Sequence, residues 1–108
     1  MRICVIGLGY VGLPLANALA KKFNTIGFDI NKKRIDELNI GYDSTNELTS
    51  EQIKENLNKN IIYTNDESKL GKTNFYIITV PTPINKDKTP NLTPLIKASK
   101  TVSKYLKK

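Results

Sequence analysis

Apolar positions along this chain come in short β-type runs alternating with segments of helical period. Arg2 to Ile6 is a brief apolar run ending at a glycine, as in a strand buried on both faces. Val11, Leu15, Ala18 and Leu19 then recur at helical spacing, which predicts a helix from Val11 to Lys22 with Lys21 and Lys22 at its C-terminus. Thr25 to Asp29 reads as a second strand. Asn31 is placed to cap a short helix, Lys32 to Leu38, that stops near Gly41. After a polar stretch from Gly41 to Glu47, Thr49 with Gln52 forms a capping box for a helix carrying Ile53 and Leu57. Ile61 to Tyr63 predicts a short strand and Asp66 to Leu70 a helical turn. Asn74 to Val80 is the strongest strand pattern in the chain, rich in β-branched and aromatic residues, and Pro81-Thr82-Pro83 breaks it. Thr93-Pro94 carries N-cap and N1 chemistry for a last helix running to about Leu106. This alternation predicts an α/β fold, a parallel sheet with crossover helices. In such an architecture the last helix would feed another strand, so the ending on Leu106-Lys107-Lys108 suggests a truncated, partial domain.

Composition narrows what that fold can do. With 108 residues, 39% hydrophobic and 25% charged, the chain has room for one small ordered domain. Lys and Arg outnumber Asp and Glu by 17 to 10, a net +7. The basic residues are scattered, without the interleaved aromatics of a stacking platform, so they read as a solvated surface rather than a nucleic-acid site. There is no histidine and a single cysteine, Cys4. That excludes an internal disulfide, a Cys/His zinc site and the imidazole-dependent nucleophilic arrangements. Cys4, inside Ile3-Cys4-Val5-Ile6, reads as a small buried hydrophobe. Three glycines and a proline interrupt the first twenty residues, and no stretch approaches a membrane span, so a cytoplasmic protein without membrane partners is expected.

The chemistry concentrates at Gly7-Leu8-Gly9-Tyr10-Val11-Gly12. A Gly-x-Gly-x-x-Gly pattern alone is weak, but this one follows a strand, opens a helix and is followed by an acid, Asp29, at the end of the next strand, twenty positions after Gly9. Gly7 permits the tight turn, Gly9 leaves room for a pyrophosphate against the backbone, and Gly12 allows close helix–sheet packing. The amides around Tyr10 and Val11 would face the phosphates, aided by the helix dipole. Asp29 can accept hydrogen bonds from the ribose hydroxyls and repel a 2′-phosphate, which favours NAD over NADP. An arginine past the second strand can also serve a 2′-phosphate; Arg34 is expected along the adenine side, its guanidinium near base or ribose. The predicted fold is therefore a Rossmann-like parallel sheet with flanking helices. Val80, Pro81 and Thr82 sit at its carboxyl edge, where Thr82 could hold a ribose or phosphate oxygen; a rigid loop exit with no ligand contact is the competing reading.

Four segments taken together resemble one family. Ile6-Gly-Leu-Gly-Tyr-Val-Gly-Leu-Pro-Leu15, Gly27-Phe-Asp-Ile-Asn-Lys-Lys-Arg34, Tyr76-Ile-Ile-Thr-Val-Pro-Thr-Pro-Ile84 and Asn91-Leu-Thr-Pro-Leu-Ile-Lys-Ala-Ser99 are similar to the NAD-binding domain of the UDP-glucose/GDP-mannose dehydrogenases. Within that family the chain looks most like the Vi-polysaccharide-type UDP-N-acetylhexosamine 6-dehydrogenases, with Gly41-Tyr-Asp-Ser-Thr-Asn-Glu47 and Pro81-Thr82-Pro83-Ile84 favouring that branch. The resemblance implies NAD-dependent oxidation of a sugar C6 alcohol to a carboxylate in two hydride transfers, for surface polysaccharide synthesis. It implies cofactor contacts at Val11, Asp29, Arg34 and Thr82, a UDP-sugar substrate and a homodimeric parent. The family's catalytic cysteine, its companion polar residues, the central dimer-forming helix and the UDP-sugar domain are expected beyond this chain, which alone would be inactive. A UDP-glucose 6-dehydrogenase and a non-catalytic Rossmann cofactor sensor are the alternatives.

Overall fold

The computed structural model describes residues 1–57, 59–81 and 83–105. Four strands, β1 (Arg2–Ile6), β2 (Asn24–Phe28), β3 (Ile61–Thr64) and β4 (Phe75–Ile78), form one parallel sheet in the order β3-β2-β1-β4. The chain steps outward from β1 to β2 to β3, then returns to the other side of β1 for β4. The strand order therefore reverses between β1 and β4, and the carboxyl ends of those two strands open a crevice there.

Both faces of the sheet are covered. On one face Val5, Ile61 and Tyr63 pack with Leu13, Ala16, Ile35, Leu38 and Ile53 from helices α1 (Gly12–Leu19), α2 (Lys32–Asn39) and α3 (Ser50–Asn56). On the other, Cys4, Ile6, Ile26 and Phe28 meet Leu70 of a 3₁₀ turn (Glu67–Leu70) and Ala98 of α4 (Thr93–Tyr105). Adjacent residues of β1 thus enter opposite cores, the alternation expected of a strand with two buried faces. Cys4 is fully buried, and burial, only partly offset by Arg2, pushes its thiol up to about 12. It fills space, as its apolar neighbours predicted.

Element by element the pattern holds, with shifts at the ends. α1 closes at Leu19; Lys21 and Lys22 lie in the turn beyond, donating to the Ala18 and Leu19 carbonyls, so they are not in the last helical turn. β2 starts and ends one residue earlier than expected, leaving Asp29 just past it. α3 ends at Asn56, with Leu57 as its C-cap. β4 is four residues, shorter than Asn74 to Val80. Asn74 and Thr79 still donate to Arg2 and Ile6 across the sheet, but Val80 departs ahead of Pro81, which constrains the residue before it and offers no N–H. The capping predictions at Asn31 and Thr49 are met: Asn31 accepts from the Arg34 amide, and Thr49 and Gln52 form a complete capping box. For α4 the cap is different. The Asn91 side chain, not Thr93, accepts from the first helical amide, that of Thr93, at 3.0 Å. The expected end of this helix at Leu106 lies outside the described residues.

Two glycines make the β1–α1 connection possible. Gly7 has φ +96°, a left-handed value, and a Cβ there would come within 2.9 Å of the Thr79–Val80 backbone. A Cβ on Gly12 would collide with the Gly7 carbonyl and the Thr79 hydroxyl. Gly71, by contrast, has open space where a Cβ would go. Gly12→Ala is expected to cost about 3 kcal/mol through overpacking against backbone, while Gly71→Ala stays within about 0.5 kcal/mol, as read by urea unfolding.

Candidate functional site

The crevice at the strand reversal is a cleft of about 630 Å³. Its walls are the glycine turn (Gly7 to Gly9), the exit of β2 (Phe28 to Asn31), the exit of β4 (Val80 and Pro81) and the first turns of α4 with the residues before them (Asn91, Thr93, Pro94, Lys97). The glycine motif, Asp29 and the Val-Pro segment, far apart in the chain, are thereby brought to one place.

The turn itself is fixed through Leu8. Its side chain is fully buried in the α-helical core. Its amide donates to Asp29 Oδ2 at 2.9 Å, and its carbonyl accepts from Arg34 Nε at 2.7 Å. The Leu8 N–H and C=O, which belong to successive peptide groups, are thus both committed. Among the described residues, the N–H groups of Gly9, Tyr10 and Val11 find no acceptor. α1 also begins without a side-chain cap, its N-cap position being Val11, whereas α2 and α3 are both capped by their own side chains. A Cβ on Gly9 would meet nothing within 4 Å. Open donors, an uncapped helix dipole and cleared space form a seat for a phosphate anion.

Asp29 accepts one backbone amide on each oxygen, Leu8 on Oδ2 and Asn31 on Oδ1 at 2.9 Å. Each oxygen keeps a further lone pair, so the carboxylate can still accept from two vicinal hydroxyls. The remaining expected site residues divide. Gly7, Gly9, Val80 and Pro81 line the cleft with Asp29. Tyr10 and Val11 follow in the turn with exposed side chains and unpaired amides among the described residues. Gly12 is buried behind the turn and serves packing. Thr82 lies outside the described residues.

Arg34 borders the cleft, and its guanidinium is also tied into the body of the domain. Nε is spent on the Leu8 carbonyl, and Nη1 pairs with Asp43 Oδ1 at 2.8 Å, the Asp43 side chain being wholly buried. Asp43 in turn accepts from the Thr45 hydroxyl and amide and from the amides of Glu47 and Leu48, which organises the whole polar stretch after α2. Burial alone would raise its carboxyl; hydrogen bonds from Thr45, Arg34 and the Leu48 and Thr45 amides outweigh that and hold it well below the usual carboxylate range. Three residues of this site escaped the sequence reading. Asp43 looked like one of several polar loop residues. Thr79, whose hydroxyl donates to the Gly7 carbonyl at 2.7 Å, looked like another strand residue. Asn91, which caps α4 beside the cleft, carried a signal that Thr93 obscured.

A parallel sheet with the order 3-2-1-4, a glycine turn at the reversal point and an acid just past β2 defines a dinucleotide-binding domain of the Rossmann type. The particular kind is settled by likeness. Residues 1–108 match the model of the UDP-glucose/GDP-mannose dehydrogenase family, NAD binding domain, and the chain belongs to that family. It is 53% identical over 106 residues to UDP-N-acetyl-D-glucosamine 6-dehydrogenase of Salmonella typhi, covering 98% of this chain and 24% of that protein. It is likewise 53% identical over 104 residues to Protein CapL of Staphylococcus aureus, covering 96% of this chain and 24% of that one. The structure of UDP-D-ManNAc dehydrogenase from Pyrococcus horikoshii superposes with a TM-score of 0.92 at 35% identity, over 98% of this chain and 26% of the other. The chain thus spans about a quarter of the relatives it matches, and its cofactor is NAD.

The Asp43 carboxylate predicts an acid limb of stability. Because its folded-state pKa is depressed, its contribution is present above the unfolded value of about 4 and is lost as pH falls below it. Urea unfolding midpoints are expected to be flat from neutral pH to about 5 and to fall below about 4. Asp43→Asn should lose about 2 kcal/mol at neutral pH and show a shallower acid limb.

Proposed function

We propose that this chain is the NAD-binding part of a dehydrogenase that oxidises the C6 alcohol of a UDP-N-acetylhexosamine to the uronic acid for surface polysaccharide synthesis. The observation that carries the cofactor half of this reading is the uncapped start of α1 beside the open space at Gly9. The substrate half rests on the likeness to UDP-N-acetyl-D-glucosamine 6-dehydrogenases, 53% identical for the Salmonella typhi protein and 49% for that of Pseudomonas aeruginosa.

In this arrangement the amides of Gly9, Tyr10 and Val11 receive the pyrophosphate, and Asp29 receives the adenosine ribose hydroxyls. Val80 and Pro81 form the wall on the β4 side. NAD supplies the hydride acceptor for both oxidation steps; the residues here bind and orient it. Cys4 has no part in the chemistry, since its thiol is sealed beneath the sheet. The nucleophile and the UDP-sugar site are assigned to the three quarters of the relatives' length that this chain does not span. On this reading the parent acts in the cytoplasm as a homodimer, with neither a membrane nor a nucleic acid as partner. No described helix is long and apolar enough to cross a membrane.

Calorimetry with NAD is expected to register binding to this chain. Gly9→Val should weaken it about tenfold or more while leaving the melting temperature nearly unchanged, because the added side chain enters ligand space rather than protein. No NADH should form when UDP-N-acetylglucosamine and NAD are added to this chain. Absence of binding heat from folded chain at millimolar NAD, or equal affinity in Gly9→Val, would overturn the cofactor assignment.

A further inference from the structure

The Gly7 carbonyl and the Leu8 N–H belong to one peptide group, and the fold grips that group from both ends. The Leu8 amide donates to Asp29 Oδ2 at 2.9 Å, and the Thr79 hydroxyl donates to the Gly7 carbonyl at 2.7 Å. The hydroxyl's other neighbour, the Ile6 carbonyl, is further off at 3.2 Å and already accepts the Thr79 amide at 2.7 Å. Gly7 is buried, and among the described residues no backbone amide reaches its carbonyl. The hydroxyl is therefore what satisfies it. Local sterics do little to fix this plane, because Gly7 has no Cβ and already sits at φ +96°. Without the hydroxyl, a buried carbonyl would be left unpaired, and rotation of the plane would be its route to another donor.

The two holds differ in what a ligand asks of them. Asp29 lines the cleft, and in the function proposed above its oxygens are shared with the ribose hydroxyls. Thr79 is half-buried and forms no part of the cleft wall. Its β-branched side chain has few rotamers, so the hydroxyl is set in advance. It also lies against the start of α1, where a Cβ on Gly12 would strike both it and the Gly7 carbonyl. We propose that Thr79 is a positioning residue for the cofactor pyrophosphate: without touching the ligand, its hydroxyl locks the Gly7–Leu8 peptide plane from which the Gly9, Tyr10 and Val11 amides are presented. The inference rests on the NAD-binding reading above.

The test compares Thr79→Val, which keeps the shape and removes the hydroxyl, with Thr79→Ser, which keeps the hydroxyl. NAD and adenosine, a probe with the ribose hydroxyls but no phosphate, are titrated into this chain and followed by amide NMR shifts. Thermal unfolding verifies that each variant is folded, and Thr79→Ala serves if the valine variant is not. Thr79→Val is expected to weaken NAD about tenfold, the scale of one hydrogen bond, and to leave adenosine within about twofold. Thr79→Ser should bind both ligands as the unmodified chain does. A merely structural role would weaken NAD and adenosine together, which would overturn the proposal. So would unchanged NAD binding in Thr79→Val, no rescue in Thr79→Ser, or failure of both the valine and alanine variants to fold. Failure of the unmodified chain to bind NAD would instead strike the underlying cofactor reading.

Discussion

The main chain of Leu8 is the point on which the cofactor side of this domain turns. It sits where β1 hands over to α1, and neither its N–H nor its C=O is used by sheet or helix. Asp29 takes the first and Arg34 the second, so one residue just past β2 and one in the first turn of α2 hold the turn from either side. The Leu8 side chain, sealed in the core, anchors the turn from below. The amides after it find no acceptor among the described residues. A buried peptide polar group left unpaired would cost about 1–3 kcal/mol, which gives this clamp its weight.

Behind the clamp stands Asp43. Its carboxylate is in effect the hub of a small polar core that ties the stretch after α2 to Arg34 and through it to the glycine turn. Buried ion pairs are poor sources of net stability, because desolvation consumes much of their attraction. They are good at fixing geometry, since moving either partner strands the other. The pair here joins the cleft to a loop that touches no ligand, and it uses an arginine that the cleft itself could have claimed. Thr79 plays a comparable part from β4, joining its hydroxyl to the Gly7 carbonyl and thereby setting the distance between the two strand ends that bound the crevice.

Most of the architecture was legible from hydrophobic period and turn chemistry alone. The four strands, the capping of α2 and α3 and the burial of Cys4 follow from local pattern, because period 2, period 3.6 and cap residues are written in neighbouring positions. Boundaries moved where tertiary contacts intervened: at Asp29, whose carboxylate was drawn to two amides, and at Val80, released ahead of Pro81. The α4 cap was misread because Asn91 and Thr93 are both competent caps and only the backbone path chooses between them.

The sequence by itself determined that a glycine turn follows one strand and an acid ends the next, and hence that a dinucleotide could be bound. Those features are encoded by residues close in the chain whose conformational needs are intrinsic. Only the tertiary structure decided the direction of Arg34. A long cation beside a cleft can reach either a ligand or a buried acid, and the outcome depends on which anion the fold desolvates nearby. Asp43, nine residues further on and indistinguishable in pattern from its polar neighbours, is brought beneath the turn by the path of the chain after α2. No local signal records that encounter, and it makes Arg34 a brace of the glycine turn as well as a residue bordering the cleft.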